Sequence, residues 1–254
     1  MIELIVNNSY SQAKNLTQEQ YASLRKLLSY EPDENAAFFG GFKGSSTRYL
    51  IDRKGVFPTG LLDTVLTHVA ERNYAITLKD ERVRPKPGSL FKMHAGALKP
   101  YKEQLEAVAV AAKTGTGGLV MPTGSGKSIC MALLIQRMQV KTLVVCPNLD
   151  LKNQLSATFL ELFGSMKNIT VENIDSPRLE KLTDFDQIII DECHGAAAKT
   201  YQRLNKTQWS GIYYRFFFTA TFFRNVDAEQ MLFKSICGNE IYRLTYKQAV
   251  KNGL

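Results

Sequence analysis

The chain is poor in the residues that staple a fold or ligate a metal. Its four cysteines, Cys130, Cys146, Cys193 and Cys237, lie far apart among 254 residues and form no CxxC pair. That pattern suits buried thiols in a reducing cytoplasm better than disulfides or a zinc site. Histidines number three and tryptophan one; His68 and His94 read as helix-face or loop residues rather than ligands, and Trp209 as core. No stretch approaches the ~18 consecutive apolar residues of a membrane span, and Met1-Ile2-Glu3 opens on an acid, not on a basic signal-peptide head. The expectation is a protein that neither spans a membrane nor is exported. With 8 prolines, 17 glycines, 44% apolar and 22% charged residues, collagen, coiled coil and disorder are excluded, and the length allows one or two cores. Lys and Arg number 32 against 24 Asp and Glu, a net +8. Such an excess tolerates a polyanionic partner without demanding one.

Hydrophobic periodicity lapses near Lys79 to Leu90, KDERVRPKPGSL, where charges, prolines and a glycine take over. We place a domain boundary there, giving a small α+β unit over 1–90 and a larger α/β unit over 91–254. In the first, Ile2 to Val6, Thr47 to Ile51 and Tyr74 to Thr77 read as strands. Thr17 to Leu28 and Thr59 to Val69 read as helices, the former with an N-cap at Thr17 and Gln20 three residues on. Phe38-Phe39-Gly40-Gly41-Phe42-Lys43-Gly44 is a glycine-rich, basic, aromatic loop that either faces a phosphate backbone or folds its aromatics into the core.

In the second unit, helices (Lys102 to Ala112, Ser128 to Met138, Leu149 to Leu162) alternate with strands (Gly118 to Met121, Thr142 to Cys146, Ile169 to Val171, Gln187 to Ile190, Tyr214 to Phe218). Strands such as Leu143-Val144-Val145 and Ile188-Ile189-Ile190 are apolar on both faces, as in a parallel sheet covered by helices on both sides. Ligands of such sheets bind beyond the carboxyl ends of the strands. The polar motifs sit there.

The first motif, Met121-Pro122-Thr123-Gly124-Ser125-Gly126-Lys127-Ser128, follows a strand and opens a helix. Backbone N–H groups of such a loop converge on phosphate oxygens where side chains do not intervene, helped by the positive end of the helix. Lys127 then reaches the β and γ phosphates and Ser128 ligates Mg²⁺, although Met121 stands where the general P-loop pattern has glycine. The second, Asp191-Glu192-Cys193-His194, follows a triple Ile about 65 residues beyond the loop. An Asp at a hydrophobic strand tip is placed to hold the metal, and an adjacent Glu to orient or deprotonate the attacking water. Their ordered occurrence points to nucleotide hydrolysis.

From about Leu98 to Leu254 the chain resembles the first RecA-like domain of superfamily 2 helicases and translocases. The resemblance implies a RecA-like fold, ATP and Mg²⁺ as cofactors, and a monomer acting on DNA. Pro122 to Ser128 looks like motif I, in which Met at position 121 is usual. DECH looks like motif II, His194 being implied to couple the nucleotide site to movement, and Thr219-Ala220-Thr221 is similar to motif III, with Thr219 and Thr221 in the coupling role. Cys146-Pro147-Asn148-Leu149-Asp150-Leu151-Lys152-Asn153-Gln154 resembles motif Ia, which implies that Pro147, Asn148, Lys152 and Gln154 touch the backbone of the tracked strand. Lys152 and Gln154 are expected to face the same way within one helical turn. Gln104 aligns with the glutamine that reads adenine, donating and accepting at once. Ile169 to Ser176 matches motif Ib in part, with Asn173 at the usual Thr.

Leu24 to Glu31, Phe42, Asp52-Arg53-Lys54 and Phe57 to Leu61 resemble the small N-terminal domain of phage UvsW-type recombination helicases. That implies a branched-DNA helicase working in the host cytoplasm, with Arg25, Lys26, Lys43, Arg48, Arg53 and Lys54 as duplex contacts. The alternatives are an RNA helicase, a restriction-type translocase subunit, and a non-enzymatic, ATP-gated nucleic-acid clamp. Gly238 to Leu254 resembles the end of the first RecA-like domain. A second such domain supplies arginines to the γ-phosphate in this superfamily, so the chain alone is expected to bind ATP weakly and hydrolyse it hardly at all.

Overall fold

A computed structural model describes residues 1–31, 47–94, 99–193, 199–220 and 227–251. They form two units, Met1–Arg82 with Arg224–Gly238, and Val83–Phe223 with Asn239–Leu254.

The first unit is a four-stranded mixed sheet with helices. Strands β1 (Ile2–Val6), β2 (Tyr10–Lys14), β5 (Val56–Pro58) and β6 (Ile76–Asp80) lie in the order β5-β2-β1-β6. The meander β1-β2 is antiparallel, whereas β6 runs parallel to β1 with Ile2 opposite Ile76. Helix α1 (Gln18–Leu27) starts as its sequence dictates: the Thr17 hydroxyl accepts from the Gln20 N–H at 3.2 Å and the Gln20 side chain accepts from the Thr17 N–H at 3.0 Å. The expected second helix begins with a 3-10 turn over Thr59–Leu61 and continues as α2 (Leu62–Glu71). Leu4, Leu24, Phe57, Leu61 and Val65 form the buried core.

One expected strand changes and another strand, β2, was not expected. The strand expected over Thr47 to Ile51 shrinks to β4 (Arg48–Tyr49), which pairs with β3 (Ser29–Tyr30), because Asp52 turns the chain by accepting from the N–H groups of Lys54 and Val56. Strand β2 carries almost no apolar signal and is held by its ladder to β1 and β5. The loop Phe38 to Gly44 lies outside the described residues.

The second unit is a six-stranded, wholly parallel sheet flanked by helices, in the order β12-β7-β11-β10-β8-β9. Its strands are β7 (Thr116–Val120), β8 (Thr142–Cys146), β9 (Ile169–Asn173), β10 (Gln187–Ile190), β11 (Tyr214–Thr219) and β12 (Glu240–Arg243). The helices are α3 (Lys102–Thr114), α4 (Lys127–Met138), α5 (Leu149–Phe163), α6 (Lys199–Lys206) and α8 (Tyr246–Lys251); α7 (Asp227–Cys237) belongs to the first unit. Strands β8 and β10 are buried along their whole length, which is why both faces are apolar.

The units divide after Arg82, not after Leu90. Although Val83 to His94 has no regular structure, its polar backbone finds partners on the second unit. Arg84 Nε donates to the Tyr214 hydroxyl at 2.9 Å, and Gly88 N–H donates to the Gln139 carbonyl at 2.8 Å. The Gln139 side chain accepts from the N–H groups of Leu90 and Phe91 and donates to the Phe91 carbonyl. The Phe91 ring packs on Phe163 with centroids 5.6 Å apart. Nor does the second unit keep everything after residue 90. Met231 of α7 packs on the first core, and Gly60 makes room for the helix: a Cβ there would sit 2.3 Å from the Lys234 carbonyl oxygen.

Candidate active site

The phosphate loop, the acids and Thr219 lie at the carboxyl ends of β7, β10 and β11. Strand β7 delivers Met121 and the loop Pro122 to Gly126, which turns into α4 at Lys127. Two glycines make the turn. Gly124 has φ +83 and Gly126 φ +76, a region that disfavours any Cβ. A Cβ on Gly126 would also come within 2.4 Å of Gln104 Nε2. Ser125 Oγ donates to the Pro122 carbonyl at 2.7 Å, closing the loop on itself, and Thr123 and Gly124 are exposed above it. Ser128 stands half-buried on the first turn of α4.

Gln104, expected to read adenine, lies against the phosphate loop. It is 2% exposed, its Nε2 donates to the carbonyl of Ser125 at 3.2 Å and of Gly126 at 3.5 Å, and its Oε1 accepts from the Tyr101 N–H at 3.0 Å. The carboxamide therefore supports the loop by donating to two of its carbonyls, which would otherwise be buried without a donor.

Strand β10 ends at Asp191, whose N–H bonds the Val145 carbonyl of β8, and β11 lies between β7 and β10. Lys127 Nζ and Glu192 Oε1 are 2.7 Å apart. Lysine and acids thus share one site. Glu192 has φ +49, a left-handed backbone uncommon for a residue with a side chain and often found where function over-determines geometry. Thr219, fully buried at the end of β11, accepts the Met121 N–H at 2.9 Å and so joins the third motif to the root of the loop. His194 and Thr221 lie outside the described residues.

Burial, reinforced by the negative charge of Glu192 and opposed by Lys127, pushes the Asp191 carboxyl up to about 6. A carboxyl that titrates higher when folded than when unfolded stabilises the fold at low pH, and that stability is lost as pH rises from about 4 to about 6. Asp191→Asn is therefore expected to raise stability by on the order of 2 kcal/mol above pH 6 and by nothing near pH 4. Melting of both proteins across that range measures it; a difference independent of pH would refute the assignment.

The magnesium donors expected from sequence, Ser128 and Asp191, are hard oxygens. Among the described residues no group of three or more His, Cys, Asp or Glu could hold a metal by itself. That suits an ion bound through one carboxylate, a hydroxyl and the ligand's own phosphates.

The expected nucleic-acid residues divide. Pro147 is half-buried and Asn148 caps α5, its Oδ1 accepting the Leu151 N–H at 2.9 Å. Lys152 and Gln154 do not face the same way: two residues along a helix are about 200° apart. Lys152 turns inward to Glu172 Oε2 at 2.7 Å, while Gln154 is exposed. Arg178 approaches the other oxygen of the same carboxylate, also at 2.7 Å. Sequence reasoning passed over Glu172 and Arg178. The available signal was one acid in a strand too buried to leave it without a cation. In the first unit Arg25, Lys26, Arg48, Arg53 and Lys54 are exposed, with the Arg25 guanidinium 3.8 Å from the centre of the Tyr49 ring. Lys43 lies outside the described residues.

Two crystal structures of the UvsW helicase from bacteriophage T4 share this fold. One superposes with a TM-score of 0.76 at 18% identity, covering 95% of this chain and 99% of that one. The other gives 0.73 at 18%, covering 96% and 57%. The DNA 3'-5' translocase XPB2 of Sulfurisphaera tokodaii is 31% identical over 159 residues, 57% of this chain but only 36% of that relative. Residues 89–224, which carry the loop, the acids and the buried strands between them, match the family model described as "Type III restriction enzyme, res subunit". The chain belongs to that helicase-type family.

Proposed function

We propose that the chain is an ATP-dependent DNA helicase or translocase of superfamily 2 that acts on branched or forked DNA. The observation that carries the reading is the pairing of Lys127 with Glu192, beside the strand-tip Asp191, at the glycine-bearing loop that opens α4. Lys127 binds the β and γ phosphates; Thr123 to Ser128 surround them; Asp191 and Ser128 hold Mg²⁺, which when bound neutralises phosphate charge. Glu192 accepts the proton of the attacking water. Lys127 pairs with Glu192, so a phosphate that draws the lysine away also frees the base. Thr219, bonded to the root of the loop, relays a shift of the cradle to the end of β11. Family membership supports ATP use, and the T4 UvsW fold extends the likeness to the first unit, where Arg25, Lys26, Arg48, Arg53 and Lys54 contact duplex.

The test is ATP hydrolysis by the full chain with forked, four-way, duplex and single-stranded DNA. With one RecA-like sheet among the described residues, hydrolysis is expected to be slow, raised most by forked or four-way DNA, and about a hundredfold lower in Glu192→Gln. Equal residual activity in the two proteins would reject the enzyme and favour a nucleotide-gated clamp.

A further inference from the structure

Strand β9 holds a charge where a parallel strand usually has none. Glu172 is 1% exposed, yet its two oxygens meet cations from two different elements. Lys152, on the first turns of α5, donates to Oε2 at 2.7 Å, and Arg178, from the 3-10 turn Pro177–Glu180, lies 2.7 Å from Oε1. The two contacts differ in kind. The lysine makes a true hydrogen bond, whereas Oε1 has no aligned hydrogen-bond donor, so the guanidinium is held there by charge. The Arg178 side chain is 67% exposed and that of Lys152 24%. The cluster has a net charge of +1, presented outward from a buried anchor at the carboxyl edge of the sheet.

A buried carboxylate that gathers two cations is poor evidence for stability, since desolvating three charges offsets most of their attraction. It does fix position. Two long, flexible cations would otherwise lose side-chain entropy when they converge on one anion. Tying both to a single buried point removes that cost before the ligand arrives.

We propose that Glu172 is a positioning residue that holds Arg178 and Lys152 together as a grip for one phosphodiester group of the DNA strand. The inference rests on the nucleic-acid reading above and adds to it two residues, Arg178 as a direct contact and Glu172 as the support beneath it.

The sign of one substitution separates this role from general electrostatics. Glu172→Gln removes a negative charge beside two cations, so charge alone would tighten DNA binding. Loss of positioning weakens it. Binding of the full chain to a short fluorescein-labelled duplex, and to its single strand, is followed by anisotropy from about 50 to about 200 mM salt. Arg178→Ala and Lys152→Ala are each expected to weaken binding about tenfold, the worth of one charge-assisted hydrogen bond. Removing both cations together should flatten the slope of log K against log salt by about 0.9 for duplex and about 0.7 for the single strand, the release expected for one phosphate. Glu172→Gln is expected to weaken binding by a similar factor, and Glu172→Asp to restore part of it. The proposal is overturned if Glu172→Gln binds as tightly as the unaltered chain or more tightly, or if Arg178→Ala binds as tightly as the unaltered chain. Arg178 is too exposed for its truncation to unfold the protein, so that arm decides even if Glu172→Gln proves unstable. An unaltered chain that binds neither DNA overturns the nucleic-acid reading itself.

Discussion

Lys127→Ala is expected to lower ATP hydrolysis by about 10²–10³, the usual result of removing one preorganised charge from a site where negative charge develops. The effect has two sources. The phosphates lose the one lysine that the cradle presents, and the acids lose their counter-charge. Because Lys127, together with the Glu192 N–H, holds the Asp191 carboxyl down against burial and the charge of Glu192, its removal pushes that carboxyl further up and leaves less ionised oxygen for magnesium at neutral pH. Nucleotide affinity, read with a fluorescent ATP analogue, should therefore fall further at pH 6.5 than at pH 8. Lys127→Arg should not rescue, since a planar fork does not replace a compact ammonium in a narrow loop. Unchanged nucleotide affinity in Lys127→Ala at both pH values would mean that the cradle is not a phosphate site.

Phe216→Ala is expected to cost about 3–5 kcal/mol, at the level of a fully buried aromatic in a packed core. Phe216 is 0% exposed and lies on β11 between Gly117 of β7 and Ile189 of β10. It thus fills the sheet between the strand that ends in the phosphate loop and the strand that ends in the acids. Trp209, the single tryptophan, is buried in the same unit, so its fluorescence in urea reports the loss directly. Phe216→Leu keeps most of the volume and should cost under about 1.5 kcal/mol. A cost below about 1 kcal/mol for the alanine variant would show that β11 is not packed as described.

Strands β8 and β10 were legible to the residue because a parallel strand buried on both faces must be apolar without interruption. The start of α1 was legible because Thr17 and Gln20 satisfy each other's orphan N–H groups locally. Where the chain depends on distant partners the reading failed. Strand β2 exists through its neighbours, and α6 buries little besides Tyr201 and Leu204, too sparse a stripe to read as a helix. The inward turn of Lys152 depends on an acid twenty residues later on another strand. The extended run Val83 to His94 looks like a free linker until Gln139 supplies its hydrogen bonds.

The order of residues alone specified a phosphate loop, a pair of acids and the buried strands that carry them, because glycine placement, terminal carboxylates and apolar runs are local properties. Only the folded chain could show that Lys127 rests on Glu192, that Gln104 supports the loop, and that Glu172 gathers Lys152 and Arg178. Charge pairing and burial depend on distances through space, and neighbours in space are set by how the strands order themselves across the sheet.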